Sequence, residues 1–444
     1  MDTTVPHLPD DVVVEILVRL PARYIAGCRA VCRAWRSAIS HPIFDRVHSS
    51  RPTAVATITA EHKIERHGVE IQCRSVNRVI VFDFTGFGPQ RTPFPRALCF
   101  TSPLLTSVMG SWDGVVCLQR SEWQRHPYYF LGIEWPPHPS YGNGFHIRQY
   151  VLWNPLTMAC ATVGPPSREG CIIGGYAHPE TRRFHLLHAS GETDHGPCHI
   201  IRTTIFRILR VGDAVWRELR VQETSADADA APARIIMNRS PRCVRLHDNL
   251  HWLVESIGSG TSTVRLLALD TTREKFWSME TPERHGRPFY LMTTRISVLP
   301  GGKLCLFSVE QFSSMMEAWM EVWVLEDYPC GPRGSWRWRL KERISLVTWE
   351  GFDLRTFFET NQIETVEDGE EGEEVLRLKQ ANGRIDAYNF RRKAWRTVAC
   401  ATFVYTHLVM HRESVLQGQA SFGSATRPLW KYVDWYGQRF YCLE

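Results

Sequence analysis

The chain has 444 residues, 43% hydrophobic and 22% charged, the balance of a globular protein with room for a small module plus one large domain or two medium ones. A net charge of +5 over that length leaves no basic tract that reads as a nucleic-acid footprint. Thirteen cysteines, an odd number without a Cys-x-x-Cys pair and partly inside apolar runs (Cys117, Cys305, Cys400), exclude a disulfide framework and fit reduced thiols.

The segment Met1–His7 has no apolar signal core, and Val12-Val13-Val14 is cut by Glu15, far too short to span a bilayer. The expected compartment is therefore the cytoplasm, the nucleus or both. Pro9 suits a first helical turn, and Asp10, Asp11 and Glu15 put negative charge near the positive end of the helix dipole, so a helix is expected from Pro9 or Asp10. Val12, Ile16, Leu17 and Leu20 then recur at helical spacing, and Pro21 ends the run and can open another. Tyr24 and Ile25, Cys28, Val31 and Cys32, Trp35, Ala38 and Ile39 continue the pattern, with Arg23, Arg29, Arg33 and Arg36 between them. Gly27 suggests a break between helices or a close backbone contact. So short a module has more apolar helical surface than it can bury, which leaves either a helical cap on the next domain or a face for a partner.

Leu8-Pro9, Ile16-Leu17, Leu20-Pro21, Val31-Cys32-Arg33-Ala34-Trp35 and His41-Pro42-Ile43-Phe44 resemble the F-box, in the family's order. The resemblance implies a three-helix module, residues 1–48 at its widest, that docks onto a Skp-type adaptor and through it onto cullin and RING subunits. Carried over position by position, it puts Leu8, Pro9, Ile16, Leu17, Leu20, Pro21, Ile25, Val31, Cys32 and Trp35 on the adaptor. Ala26, Gly27 and Cys28 depart from the larger residues common there.

After Arg51-Pro52 the pattern changes to short apolar strands separated by turn residues. A phrase recurs about every 60 residues: a strand ending near an acidic or amide residue, a turn, then a tryptophan or a small substitute opening another strand. Examples are Leu266–Asp270 with Trp277, Val322–Glu326 with Trp336, Ile385–Asn389 with Trp395, and Phe206–Arg210 with Trp216; Tyr150–Asn154 and Val79–Asp83 lack the second tryptophan. Between copies stand hairpin turns followed by strands, at Asp113-Gly114, Asp248-Asn249 and Gly301-Gly302. About four strands per period predict a β-propeller over 49–444, six blades favoured and seven the alternative, with the tryptophans packing between blades. Gly110–Leu118, Val151–Thr157 and Glu321–Tyr328 also resemble the plant F-box-associated, kelch-like region.

Residues 121–149 form an aromatic-rich insertion, either a recognition surface or the cover of a sheet edge. Residues 223–233 and the acidic run Glu364–Glu374 are expected to be solvated loops. The sequence has no Gly-x-Ser-x-Gly elbow, phosphate loop, His-Glu-x-x-His or Cys-x-x-Cys. His185/His188 and His407/His411 are the nearest to metal pairs, but residues three apart on a strand face opposite ways, and neither pair has a third ligand. No catalytic residue, metal or cofactor is therefore expected. The resemblances together imply a non-catalytic substrate-recognition subunit of an SCF-type ubiquitin ligase whose propeller binds a protein substrate, with no nucleic acid and no membrane. The alternative is a propeller enzyme or metabolite-binding protein with a helical cap.

Overall fold

The computed structural model describes residues 9–20, 22–41, 44, 54–67, 70–82, 96–100, 105–123, 145–155, 158–167, 170–194, 200–220, 234–238, 243–257, 262–282, 289–291, 293–299, 302–311, 318–328, 336–346, 363–368, 373–379, 384–400, 408–411, 422–427, 430–433 and 439–442. No helix among them is long and apolar enough to cross a membrane.

Three helices open the chain: α1 (Asp10–Arg19), α2 (Ala22–Cys28) and α3 (Arg33–Ile39). The Pro9 carbonyl accepts the first intrahelical bond from Val13 N–H at 3.1 Å, with Asp10 and Asp11 in the first turn, as the sequence predicts. Leu20 is extended and stops α1. Gly27 lies in the last turn of α2, next to the break that leads into α3. Cys32 caps α3 by accepting the Trp35 N–H on its thiol, 3.4 Å away. Leu17, Ile25, Ile39 and Phe44 form the buried centre of this module, with Val13, Leu20, Cys28 and Trp35 packed around it.

Beyond them the described residues are almost entirely β, in five sheets, with one short 3-10 helix at Gly423–Ala425. The strands are β1 (Ala54–His67), β2 (Glu70–Phe82), β3 (Arg96–Phe100), β4 (Leu105–Trp112), β5 (Val115–Trp123), β6 (Phe145–Trp153), β7 (Cys160–Val163), β8 (Cys171–Ala177), β9 (Phe184–Asp194), β10 (Ile200–Arg210), β11 (Arg217–Leu219), β12 (Arg234–Asn238), β13 (Val244–Leu246) and β14 (Asn249–Ile257). They continue with β15 (Ser262–Asp270), β16 (Lys275–Glu280), β17 (Thr294–Leu299), β18 (Lys303–Gln311), β19 (Ala318–Asp327), β20 (Arg337–Ser345), β21 (Ile363–Asp368), β22 (Glu373–Lys379), β23 (Arg384–Asn389), β24 (Ala394–Cys400), β25 (Leu408–His411), β26 (Thr426–Arg427), β27 (Trp430–Val433) and β28 (Arg439–Cys442).

The repeating unit is an antiparallel run of four strands: β4 to β7, β8 to β11, β13 to β16, β17 to β20 and β21 to β24. The second and third runs are joined into one sheet by β12, which pairs with β10 at Ile200–Thr203 and with β14 at Glu255–Ile257. The late strand β25 pairs with β1, so the two ends of the β region share the sheet β25-β1-β2-β3-β28-β27. Several first strands lie beside those of the neighbouring unit, β4 on β8, β13 on β17 and β17 on β21, and β25 lies beside β4.

Two local devices explain the recurrent phrases in the sequence. Asp113 and Gly114 (φ 47° and 79°) and His247 and Asp248 (φ 47° and 57°) put two successive residues in the left-handed region, the geometry of a tight hairpin turn. In the second hairpin the turn is thus one residue earlier than the sequence suggests, because Asn249 already pairs in β14 with Asp270. In two units the acidic or amide residue ending the third strand folds the next turn: Asp270 Oδ1 accepts N–H groups from Thr272 and Arg273 at 2.9 and 2.8 Å, and Asn389 Oδ1 those of Arg391 and Arg392 at 2.9 and 2.7 Å. Each turn closes on a left-handed residue, Glu274 (φ 54°) or Lys393 (φ 53°).

The cores lie between sheets. One cluster packs Leu253, Leu266 and Met279 against Ile296, Leu304 and Leu306 of the next sheet, and another packs Phe307, Met320 and Val322 against Tyr388 and Phe390. A sheet covered on both faces needs apolar residues on both, which is why β19 is buried along nearly its whole length. Of the expected tryptophans, Trp277, Trp336 and Trp395 belong to or pack against these clusters and Trp216 Nε1 donates to Gly164 O at 3.1 Å; two others, Trp252 and Trp338, donate to Ile173 O at 2.9 Å and Glu280 O at 3.1 Å, all three bonds linking neighbouring runs of strands. Cys117, Cys160, Cys171, Cys243 and Cys305 are buried and unpaired in disulfides, and burial pushes the Cys117 and Cys243 thiols up. The acidic run expected as a loop is largely a strand pair, Glu364 opposite Arg377 and Asp368 opposite Glu373. The centre of the aromatic insertion, 124–144, and the segment 223–233 lie outside the described residues.

Candidate functional site

The helical module sorts its apolar residues into two sets. Leu17 and Ile25 are fully buried, and Leu20 and Trp35 are half-buried against them. Outside lie Val31, 63% exposed, Tyr24 at 51%, Ile16 at 44% and Val14 at 37%, together with exposed Pro9 and Cys32. Leu8 and Pro21 lie outside the described residues. An exposed large apolar residue is ordinary singly; here two stand on α1, one on α2 and Val31 in the turn between α2 and α3, all within one small module. Arg36 Nε donates to Arg29 O at 3.1 Å and Arg29 to Ser40 Oγ at 3.4 Å, pinning the α2–α3 break that carries Val31. Val14 and Tyr24 were not singled out by the motif; the signal was the continuity of the apolar band around them.

In the β region, turns from separate units meet at one end of the sheets. Asp113, in the β4–β5 hairpin, accepts the Ala177 N–H at 2.8 Å on Oδ2 and is ion-paired with Arg245, which also binds Asp248 at 3.0 Å. This ties the ends of β4, β8 and β13 together. Beside it His178, Thr181, His185, Ile208, Arg210, Asp213, Val215, Arg217 and Glu274 line a cavity of about 310 Å³, drawn from β9, β10 and β11 and the turns after β8, β10 and β15. Arg210 pairs with Asp213 at 2.9 Å and Arg217 with Glu274. His178 Nδ1 accepts N–H groups of Glu180 and Thr181, so its proton sits on Nε2. His185 stacks on Tyr176 with ring centres 5.1 Å apart, and burial lowers its pKa. The cavity offers paired charges and hydrogen-bond groups, suited to recognition. Sequence reasoning missed it because its members are scattered over almost a hundred positions and only the fold gathers them.

The histidine pairs resolve separately. His188 is buried between Tyr150 and Trp216, its pKa lowered to about 3 by burial and then by Arg207. His185 faces the cavity, so the two diverge as strand geometry requires. His411 Nδ1 lies 2.7 Å from Ser111 Oγ, joining β25 to β4, and His407 lies outside the described residues. Among the described residues, no group of three or more His, Cys, Asp or Glu could hold a metal ion.

The chain thus pairs a helical module bearing exposed apolar residues with repeated antiparallel sheets packed face to face. Comparison with known families agrees: the F-box domain model matches residues 5–47, and the F-box associated beta propeller domain model matches residues 146–405, more than half of the chain. The chain belongs to the F-box associated beta propeller family and carries an F-box domain ahead of it. It is 43% identical to F-box only protein 12 of Arabidopsis thaliana over 47 residues, 11% of this chain and 12% of that protein. Similar solved structures include the alpha-L-arabinanase of Penicillium chrysogenum, 10% identical with a TM-score of 0.35 over 70% of this chain and 83% of that one. The polysaccharide lyase Uly1 is 11% identical with a TM-score of 0.32 over 74% and 86%. Likenesses of that order assign no activity.

Proposed function

We propose that this protein is the non-catalytic substrate-recognition subunit of an SCF-type ubiquitin ligase, working in the cytoplasm, the nucleus or both. Residues 1–48 are the docking module and 49–444 the substrate-holding domain. The observation that carries this reading is the split within the F-box: Leu17, Ile25, Ile39 and Phe44 satisfy the module's own core, while Ile16, Tyr24 and Val31 remain outside without need of them. Of the adaptor-facing set, Pro9, Ile16, Val31 and Cys32 make the direct surface, and the family resemblance adds Leu8 and Pro21. Leu20 and Trp35 bridge surface and core, and Leu17 and Ile25 shape the face from beneath. The partner is a Skp-type adaptor and, through it, cullin and RING subunits.

The β domain acts as a rigid holder of six blades, with β25 closing the ring by pairing with β1; side-by-side first strands support that count. Its role is to raise the effective concentration of a substrate lysine near the loaded ubiquitin-conjugating enzyme, which needs stiffness and no bond chemistry of its own. Co-expression with a Skp-type adaptor followed by size-exclusion chromatography tests the reading. A stoichiometric complex is expected, and its absence with a well-folded chain overturns it.

A further inference from the structure

The cavity beside Asp113 presents its charges unevenly. In both ion pairs on its wall the guanidinium stands further out than the carboxylate that holds it: the Arg217 side chain is 58% exposed against 19% for Glu274, and Arg210 53% against 42% for Asp213. Arg210 engages Asp213 through Nε and Nη2, one edge of its fork, and Arg217 engages Glu274 through Nη2. A guanidinium has five N–H groups in a fixed fork, so each arginine keeps donors beyond the carboxylate it already binds.

The two histidines are set as one donor and one acceptor. His178 Nδ1 receives the Glu180 and Thr181 N–H groups, which puts its proton on Nε2. His185 Nδ1 lies 3.0 Å from the Arg183 carbonyl and donates to it, which leaves its Nε2 as an acceptor. The two rings are 5.5 Å apart, and Tyr176, stacked on His185 at 5.1 Å, fixes the inner one. Ile208, buried, and Val215, exposed, add apolar wall.

The complement of outward guanidiniums, an imidazole N–H and an apolar wall is a side chain that ends in anionic oxygens on a short hydrocarbon stem. The complement of the His185 acceptor is an N–H close to that stem, which a peptide backbone carries. A volume of about 310 Å³ admits one such side chain and its backbone, not a folded surface. Arg217 and Glu274 join the run β8–β11 to the run β13–β16 across the cavity wall, so the lining is assembled before a ligand arrives.

We infer that this cavity binds a peptide segment through one anionic side chain, a carboxylate or a phosphate ester, whose oxygens accept from Arg210, Arg217 and His178. That the peptide belongs to a protein held for ubiquitination rests on the receptor reading above; the anion site itself does not.

The test passes the purified full chain over decapeptide libraries with random flanks and a fixed central residue, either Glu, phosphoserine, Gln or Lys. The Glu library, the phosphoserine library or both should be retained at least about tenfold better than the Gln library, the difference that hydrogen bonds to a charged group supply. Preference for phosphoserine alone assigns the site to a phosphorylated segment, and preference for both to acidic segments generally. Combined Arg210→Gln and Arg217→Gln should abolish the preference, and so should Val215→Glu, which sets a carboxylate on the cavity wall at an exposed position. Arg337→Gln, which removes an exposed, ion-paired guanidinium elsewhere, should leave it intact. Equal retention of all libraries, preference for Lys, a preference that survives in the folded cavity variants, or an equal loss in Arg337→Gln overturns the proposal. If the double arginine variant fails to fold, Val215→Glu decides. Adaptor binding by the cavity variants is expected to be unchanged. A wild type that keeps the anion preference without binding the adaptor refutes the receptor reading alone.

Discussion

Trp252 in β14 donates its indole N–H to the carbonyl of Ile173 in β8 at 2.9 Å, across the seam between two runs of strands, with no measurable exposure of the ring. The same bond type recurs from Trp216 to Gly164 and from Trp338 to Glu280. Each joins large-area packing to one directional contact, so the sheets are held both together and in register.

Two substitutions separate these contributions. Trp252→Ala should cost about 3–5 kcal/mol through the cavity it leaves. Trp252→Phe keeps most of the packing but strands the Ile173 carbonyl, costing about 1–3 kcal/mol. Urea unfolding midpoints measure both; an unchanged midpoint for Trp252→Phe would mean that the hydrogen bond contributes nothing, and equal losses that the packing adds nothing beyond it.

The F-box face is probed by contrast. Val31→Glu, at an exposed position, should leave thermal stability within about 0.5 kcal/mol of wild type while weakening adaptor binding more than tenfold. Leu17→Ala should lower the stability of the module by about 2–5 kcal/mol and affect binding only through it. Trp35→Ala, half in each set, should do both. Calorimetric melting beside adaptor titration reads the two effects separately.

Stability should fall in mild acid. Burial lowers the pKa of His188 to about 3 and of His251 to about 4; Arg207 adds to the first and His247 to the second, while the Val244 carbonyl opposes it. The unfolded chain takes up these protons near the ordinary value, about 6.5, and the folded chain does not. Between those limits the unfolded state binds more protons, so stability is complete above about 6.5 and declines as pH drops, by about 1.4 kcal/mol per unit for each histidine. Denaturation at pH 7, 6 and 5 checks this, and His188→Phe should flatten the slope.

Lys393 closes the β23–β24 turn with φ 53°, and its exposed ammonium is 3.8 Å from Glu342. A surface pair of that kind contributes little, whereas a left-handed lysine is strained by about 1–2 kcal/mol. Lys393→Gly should therefore stabilise by about 0.5–1 kcal/mol in urea unfolding, net of the entropy glycine adds to the unfolded chain.

Much of this was legible in the chain. The F-box residues, the helix start at Asp10, and the third-strand residues Asp270 and Asn389 that fold their own turns are written locally, because caps and tight turns depend on side chains a few positions apart. The alternation of strands and the tryptophan rhythm announced the repeated sheets for the same reason. The sequence alone could not tell Leu17, which is core, from Val31, which is surface: both fit the apolar spacing, and only the packing of three helices decides which stripe faces inward. Nor could it place Phe422 against Phe184, more than two hundred positions earlier, or gather His178, Asp213 and Glu274 around one cavity. Contacts of that range leave no periodicity behind; they exist because the sheets stack and bring distant turns to one end. What the sequence by itself determined was the kind of module and the kind of repeat, through local chemistry; the tertiary structure decided which surfaces remained free, because burial depends on every neighbour at once.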